Sequence, residues 1–307
     1  MAPLEGITTY VFRAIYRRHF DGFDKYFTPF LASKKLAKKE KNEVLPENNE
    51  GSILIPQILA NIPDTFLSIA EQLKDLGYEQ VNLNLGCPSG TVVGKNRGSG
   101  QLKDLIALES FLDEIFDKCD LKISIKTRIG MADESEWERI LELYKKYPIS
   151  ELIIHPRLRE DWYKGSVRMS AYGMAYDYRD ALNLCYNGDI VSAASVDKII
   201  SAYPDTEKIM IGRGIIANPC LLSEINGSVV SDEELNRTKE FLNDLTDSYE
   251  KLYGLGADLN VLHKMKEIWY YIGLRFPDAD RLVKKIMKTN SLTEYKICVR
   301  NFFDYVK

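Results

Sequence analysis

The sequence predicts an α/β protein whose main domain is a closed (β/α)8 TIM barrel, followed by a small helical domain. Eight short apolar runs alternate with segments of helical period, and the alternation stops near residue 230. Such alternation favours a parallel sheet, and eight units favour closure into a barrel. Polar and sulfur-bearing residues also cluster where the runs end, which is where barrel enzymes carry their active sites. An open doubly wound sheet is the alternative architecture.

Each predicted strand is a short apolar run close to Gly, Pro, Asn or Asp. The eight runs are Ala2–Leu4, Tyr26–Phe30, Ile53–Leu59, Val81–Leu85, Lys122–Lys126, Leu152–Ile154, Leu182–Tyr186 and Lys208–Ile211. The helices between them repeat apolar residues at intervals of three and four. They are predicted at Tyr10–His19, Pro63–Leu76, Leu102–Lys118, Ser135–Lys146 and Ser192–Ala202.

We predict a barrel domain over residues 1–230 and a helical domain over residues 231–307. Helical patterns in the second domain cover Glu233–Tyr253, Asn260–Ile272, Asp278–Lys288 and Leu292–Val306. Residues 257–307, with Lys307 included, hold ten Lys or Arg against six Asp or Glu, a local charge of +4. This segment is either a solvated helix face or a surface for phosphate backbones. A second basic cluster, with the same two explanations, comprises Lys34, Lys35, Lys38, Lys39 and Lys41.

The composition is that of an ordinary soluble protein: 307 residues, 45% hydrophobic, 28% charged and a net charge of −4. The net charge argues against a protein that coats nucleic acid indiscriminately. The five cysteines are widely spaced and form no CxxC pair, so we expect a reduced, cytoplasmic protein without a structural zinc site. No apolar run is long enough for a membrane span, and no secretion signal is expected.

The most informative stretch runs from Val81 to Gly100 and reads VNLNLGCPSGTVVGKNRGSG. Asn84 lies near the end of an apolar strand, where an amide requires a ligand or a polar network. Gly86 and Pro88 flank Cys87, which places the thiol at a sharp corner. Although a free cysteine is usually a small buried hydrophobe, the basic, glycine-rich loop that follows favours a functional thiol.

Further polar residues lie within or directly after other strands, and the carboxyl ends of barrel strands share one rim. Each alone has an ordinary explanation, such as a solvated lysine, a structural histidine or an Asn-Gly turn. Their common placement favours one site. They are Pro3, Gln57, Lys126, Arg128, His155, Asn187-Gly188-Asp189 and Gly212-Arg213.

The segment Gly212–Ala217 matches the dinucleotide fingerprint G-x-G-x-x-A, but Asn218-Pro219 ends its helix too early for that fold. A phosphate site between the last two strand loops fits better, with Arg213 as the cation. A phosphate here and Lys126 on the same rim favour FMN, because a lysine stabilises negative charge on the reduced ring. Gln57 can bond the pyrimidine edge of the ring. Cys87, whose reference pKa is about 8.5, can donate a proton during reduction of an activated C=C bond.

In these motifs the sequence resembles the tRNA-dihydrouridine synthases, FMN enzymes that reduce uridine with NADPH. The resemblance spans the chain and is carried by MAPLEGIT, Gln57, NLNLGCPSGTVVGKNRGSGQL, IKTRIG, the histidine of IIHPR, YNGDI and IMIGRGIIANP. It implies that Cys87 is the general acid, that Asn84 contacts the uracil and that the helical domain grips tRNA. We place Lys95, Arg97 and Arg128 with Asn84 on the substrate side. The implied FMN ligands are Pro3, Leu4, Gln57, Lys126, His155, Asn187, Gly188, Asp189, Gly212 and Arg213.

A stacked uridine is inaccessible at C5 and C6, so the nucleotide must be extruded into the barrel mouth. NADPH or NADH is the expected reductant, and a monomer without metal is favoured. Pro156 and residues 157–173 depart from the family pattern, which bears on substrate choice. Two other functions remain open: an FMN barrel oxidoreductase acting on a small pyrimidine or enone, and an RNA-binding flavoprotein without turnover.

Overall fold

The computed structural model describes residues 1–20, 22–228 and 231–306. Lys307, one of the ten bases counted above, lies outside this set, as do Val229 and Val230 beside the predicted domain boundary. The strands are β1 (Tyr26–Phe27), β2 (Leu54–Ile55), β3 (Gln57–Ile58), β4 (Gln80–Leu85), β5 (Lys122–Arg128), β6 (Leu152–His155) and β7 (Leu184–Tyr186). The helices are α1 (Tyr10–His19), α2 (Lys38–Val44), α3 (Pro63–Asp75), α4 (Gly90–Val93), α5 (Leu105–Lys118), α6 (Glu136–Tyr144), α7 (Met169–Tyr176), α8 (Ala193–Ala202), α9 (Arg213–Ala217), α10 (Leu221–Ile225), α11 (Asp232–Tyr253), α12 (Asp258–Gly273), α13 (Asp280–Lys288) and α14 (Leu292–Val306).

The chain divides into two compact units. The barrel unit comprises Met1–Pro3, Lys25–Gly188 and Lys198–Ile211; the helical unit comprises Leu4–Asp24, Asp189–Asp197 and Gly212–Lys307. The helical unit therefore includes the first helix and two short segments from the last barrel loops. The boundary predicted at residue 230 stays a prediction.

Parallel hydrogen bonding closes the strands of the barrel unit into a ring. β1 pairs with β2, and β3 to β7 form one parallel sheet in sequence order. Pro56 separates β2 from β3 because proline has no N–H for the ladder. Tyr186 bridges to Ile209, and the Ala2 N–H donates to the Ile211 carbonyl at 2.8 Å. The Met1 ammonium then donates to the Lys25 carbonyl at 2.6 Å, just before β1.

The predicted (β/α)8 fold class is confirmed by this ring. Its first and last members are shorter than the predicted runs: the first run contributes the bond from the Ala2 N–H, and the last contains one isolated bridge, at Ile209. A hydrophobic layer from six ring positions fills one level of the barrel: Ala2, Phe27, Ile55, Ile153, Cys185 and Met210. Burial raises the pKa of the Cys185 thiol to about 12, so this cysteine serves packing.

Three helices of the barrel unit, α2, α4 and α7, have no counterpart in the sequence-based prediction. The four-residue helix α4 lies in the glycine-rich loop after Cys87. In α2 (KKEKNEV) almost all residues are polar, so it lacks an apolar period. In α7 (MSAYGMAY) small and apolar residues are spread around the whole helix, which also hides the period. Most of the other predicted helices match their observed bounds within three residues, and Tyr10–His19 and Leu292–Val306 match at both ends.

The helical unit is organised around aromatic contacts. The ring of Phe12 on α1 meets Phe241 on α11 edge to face at 5.6 Å. Trp269 on α12 meets Phe302 on α14 at 4.9 Å, and its indole N–H donates to the Tyr295 hydroxyl at 2.8 Å. Such pairs add stability beyond their buried area. Within the described residues, no helix combines the length and apolar character that crossing a membrane requires.

Gly214 is required by close packing inside the helical unit. A Cβ added there would lie 2.0 Å from the Ile190 carbonyl oxygen and 3.0 Å from Leu221 Cδ2. We expect Gly214→Ala to lower the free energy of unfolding by about 2 kcal/mol or more, because backbone must move. Gly90→Ala, where an added Cβ meets nothing within 4 Å, is the control. Urea denaturation of both variants checks this; equal stabilities would contradict it.

Candidate active site

The register of the parallel strands gathers the predicted residues of the barrel unit at one rim. Asn84 on β4 is the Cα partner of Lys126 on β5, and Arg128 on β5 is the partner of His155 on β6. Because side chains alternate along a strand, Asn82, Asn84, Ser124, Lys126 and Arg128 share the barrel's inner face. The apolar residues between them are buried on the outer face.

A continuous chain of amide hydrogen bonds crosses this inner face. Asn84 Nδ2 donates to Gln57 Oε1 at 2.7 Å, and Gln57 Nε2 donates to Asn82 Oδ1 at 2.8 Å. Asn82 Nδ2 donates to Ser124 Oγ at 2.9 Å, and that hydroxyl donates to the Val81 carbonyl at 3.1 Å. The three amides are almost fully buried, so their mutual bonds remove the desolvation penalty.

At the other end of this chain, Asn84 binds the backbone of the turn that carries Cys87. Asn84 Oδ1 accepts from the backbone N–H groups of Gly86 and Cys87, at 3.0 and 2.9 Å. From the other side, Ser99 donates to the Cys87 carbonyl with its hydroxyl at 2.8 Å. Gly98 adopts φ +56°, and a Cβ there would lie 2.9 Å from the same carbonyl. The Cys87 backbone is therefore fixed while its side chain keeps intermediate exposure.

Arg128 holds several loop carbonyls at the same rim. Its guanidinium donates to Gly86 at 2.9 Å, to Leu158 at 2.7 Å and to Trp162 at 2.5 Å. The residue is only 1% exposed. Burial, together with the nearby Arg157 charge, lowers its pKa. The observed contacts thus give Arg128 a positioning role, whereas the predicted substrate contact stays a prediction.

Lys126 also lies on this rim, but its ammonium lacks partners of this kind. Among the described residues, no side-chain or carbonyl oxygen accepts a hydrogen bond from its ammonium. The surrounding wall desolvates the group, and together with the Arg128 charge this lowers its pKa from about 10.5 to about 8. The sulfurs of Cys185 and Cys87 lie within electrostatic reach and oppose that shift. Lys126 and Cys87 therefore share the rim, and an anionic group placed there would raise the pKa of the lysine again.

Sequence reasoning missed two residues next to His155. Arg157 Nη1 lies 3.0 Å from His155 Nε2, and Arg157 Nη2 donates to the Gly165 carbonyl at 2.5 Å. The ring of Tyr163 lies parallel to the His155 imidazole at 6.3 Å and under the Arg128 guanidinium at 5.3 Å. The only sequence signal for these two was their place in the loop after a strand that ends in histidine.

The remaining predicted residues fall in both units. In the barrel unit, Asn187 Nδ2 donates to the Met210 carbonyl at 2.8 Å. A Cβ at Gly188 would meet the Tyr186 hydroxyl and Val167 Cγ1, each at 2.8 Å. In the helical unit, Arg213 pairs with Asp189 at 2.7 Å. There the Leu4 N–H donates to Thr8 Oγ1 at 2.8 Å, and Gly212 precedes the five-residue helix α9. Pro3 lies at the end of the first strand run, in the barrel unit.

Comparison with known proteins identifies the family. The family model described as "Dihydrouridine synthase (Dus)" matches residues 1–307. The chain belongs to this family. It is 28% identical over 312 residues to "Probable tRNA-dihydrouridine synthase 2" of Bacillus subtilis (strain 168), covering 98% of this chain and 93% of that protein. It is 26% identical over 315 residues to "Probable tRNA-dihydrouridine synthase" of Staphylococcus aureus (strain COL), covering 98% and 92%.

A solved structure supports the fold. N-acetylneuraminate lyase from Mycoplasma synoviae superposes with a TM-score of 0.50 at 14% identity, covering 96% of this chain and 89% of that one. The family and the fold together confirm the predicted class, an oxidoreductase built on a barrel.

The basic, glycine-rich loop lies directly after Cys87. Part of it forms the short helix α4, followed by a 3₁₀ segment at Gly98–Lys103. Asn61, in the segment after β3, makes two hydrogen bonds to this loop. Its Nδ2 donates to the Lys95 carbonyl at 3.1 Å, and its Oδ1 accepts from Arg97 Nε at 3.3 Å. The Lys95 side chain is exposed. No group of three metal-binding side chains occurs in the part of the chain that the structure describes.

The lowered pKa of Lys126 predicts a pH-dependent stability in flavin-free protein. Between pH 8 and pH 10.5 the unfolded chain binds more protons than the folded one, so stability rises with pH across that window. We expect Lys126→Met to stabilise the protein by about 1–3 kcal/mol at pH 7, and the difference to shrink towards pH 10. Urea denaturation at several pH values measures it.

The exposed Lys122 on the same strand provides the control, Lys122→Met, which should change little at any pH. A Lys126→Met variant that is less stable than the wild type at pH 7 would contradict the prediction.

Proposed function

We propose that this chain is an FMN-dependent tRNA-dihydrouridine synthase that reduces the C5=C6 bond of a uridine extruded from tRNA. One observation carries the proposal: a fixed cysteine corner and a desolvated lysine lie on the same rim, joined through Asn84. The names of the relatives and the matching family support the substrate. NADPH, with NADH as the alternative, is the proposed reductant. We also propose a cytoplasmic monomer, with an RNA-binding helical domain over residues 231–307.

The rim residues fit FMN. Lys126 has a desolvated ammonium with no hydrogen-bond acceptor among the described residues, and an anionic ring would supply that acceptor. Gln57 bonds Asn84, the Cα partner of Lys126, and its amide can offer its remaining N–H. We propose that the further ligands of the same cofactor are Pro3, Leu4, His155, Asn187, Gly188, Asp189, Gly212 and Arg213. When bound, FMN supplies the hydride for C6, the carbon that is β to the uracil C4 carbonyl.

Cys87 supplies the proton that completes the reduction. Its thiol transfers H⁺ to C5, so one hydride and one proton convert the CH=CH unit of the uracil ring to CH₂–CH₂. The thiolate left behind lies within electrostatic reach of the Lys126 ammonium, which stabilises it until solvent returns a proton. Asn84 holds the Cys87 backbone in place, and its amide faces the position proposed for the uracil. Extrusion of the base places C5 within reach of the sulfur.

Replacing the proton donor tests this assignment. We expect Cys87→Ala to reduce dihydrouridine formation in unmodified tRNA transcripts by about 10²- to 10⁴-fold, the usual contribution of a general acid. Flavin reduction by NADPH should continue. Cys119→Ala is the control, because that thiol is also partly exposed but lies after α5. Mass spectrometry of the transcripts measures the product.

Full product formation by Cys87→Ala would remove the assigned acid. A purified wild-type protein without a flavin absorption spectrum would overturn the cofactor. Reduction of a small enone or pyrimidine with no activity on tRNA would favour the other barrel oxidoreductases.

The exposed lysines of α13 provide the proposed contact with the tRNA backbone. Lys284, Lys285 and Lys288 lie on its solvent side, opposite the buried Val283 and Ile286. We expect their joint replacement by Gln to weaken tRNA binding and to reduce the slope of log affinity against log salt by about 2. Fluorescence anisotropy of labelled tRNA at several salt concentrations measures both.

A matched control removes the same charge elsewhere. Lys118, Lys145 and Lys146 belong to the barrel unit, outside the proposed RNA-binding domain, so their replacement by Gln should leave the salt slope near the wild-type value. Equal effects of the two triple variants would show that net charge, rather than this helix face, governs binding.

A further inference from the structure

Trp162 differs from the other two tryptophans of the chain. Trp137 and Trp269 are fully buried, whereas Trp162 is 44% exposed. Its backbone adopts φ +54° and ψ −107°, a conformation that residues other than glycine rarely adopt. A large apolar ring held at the surface by a strained backbone suggests a functional role.

Buried side chains hold Trp162 beside the active site. The Arg128 guanidinium donates both to the Gly86 carbonyl at 2.9 Å and to the Trp162 carbonyl at 2.5 Å. One planar group therefore links the Cys87 corner to the tryptophan backbone. The preceding Asp161 accepts from the Leu158 N–H at 2.7 Å and pairs with Arg168. The segment that carries the indole is thus fixed at both its ends.

The surroundings of the indole suit a nucleic acid. The Arg159 guanidinium lies over the Trp162 ring at 5.5 Å. Lys164, two residues on, is a second cation with an exposed side chain, whereas Arg157 is buried and Arg168 pairs with Asp161. An aromatic face next to cations is the combination that binds an unstacked base and its phosphate.

We propose that Trp162 stacks on the base of a nucleotide next to the extruded uridine. This inference rests on the proposed function. Extrusion leaves the neighbouring base without its stacking partner, and the indole can cover that face. Base stacking on an aromatic residue contributes about 5- to 150-fold in affinity. Trp162 would therefore favour an extruded nucleotide over a stacked one.

Two substitutions separate the ring from the backbone. Trp162→Gly removes the ring and suits φ +54°, so it should fold with an unchanged flavin spectrum and lose about 5- to 150-fold in tRNA affinity. Trp162→Phe keeps an aromatic face and should recover most of that loss. Ile106→Ala, at a side chain 84% exposed on α5, should have no effect. Anisotropy of labelled tRNA transcript with the holoenzyme measures all four proteins.

Tryptophan fluorescence gives a second readout, because Trp162 is the exposed indole. Acrylamide should quench part of the wild-type emission, and bound tRNA should protect that part. Trp162→Phe should lack the quenchable part with or without tRNA. If tRNA binds with wild-type affinity to Trp162→Gly, or leaves quenching unchanged, the inference is wrong. If the wild type binds no tRNA and forms no dihydrouridine, the proposed function itself fails.

Discussion

The site depends on one directed chain of hydrogen bonds, which begins and ends at backbone groups. At one end the N–H groups of Gly86 and Cys87 can only donate, so the atom of Asn84 that faces them must be its oxygen. At the other end the Val81 carbonyl can only accept, so the Ser124 hydroxyl must point its hydrogen there. The orientation of each amide between them follows. Gln57, Asn82 and Asn84 therefore have one consistent orientation of their amides. This orientation presents the oxygen of Asn84 to the Cys87 N–H and so fixes the backbone there.

This directionality restricts which residues can replace the amides. Asn82 must accept from Gln57 and donate to Ser124. An aspartate can accept on both sides but donate on neither, and a leucine would leave two buried groups without partners, each at a cost of about 1–3 kcal/mol. Asn82 touches neither the proposed cofactor nor the substrate. It nevertheless positions Cys87 through two intervening amides.

The two cations on the inner face of β5 illustrate two environments for a charge. Arg128 satisfies its guanidinium with loop carbonyls, so its free energy of burial is offset within the protein. Lys126, two residues earlier on the same face, has no such compensation, and its pKa falls to about 8. A group whose charge is destabilised in this way lowers the free energy of unfolding of the protein and favours binding of an anion beside it. The same strand thus carries one cation that holds loop carbonyls and one whose ammonium has no hydrogen-bond acceptor among the described residues.

The sequence predicts these inner-face residues because their pattern has period two. In VNLNL and ISIKTR the apolar residues face the helices and the polar residues other than Thr127 face the barrel interior, so the fold class and the shared rim could both be inferred. Arg157, Tyr163 and Trp162 could not, because their partners are loop carbonyls and rings whose positions no period encodes. Arg128 is an intermediate case: its place on the strand was predictable, but its three acceptors lie in two different loops. A charged residue at a strand end therefore reveals the site, while its role depends on whether nearby loops already supply its hydrogen-bond acceptors.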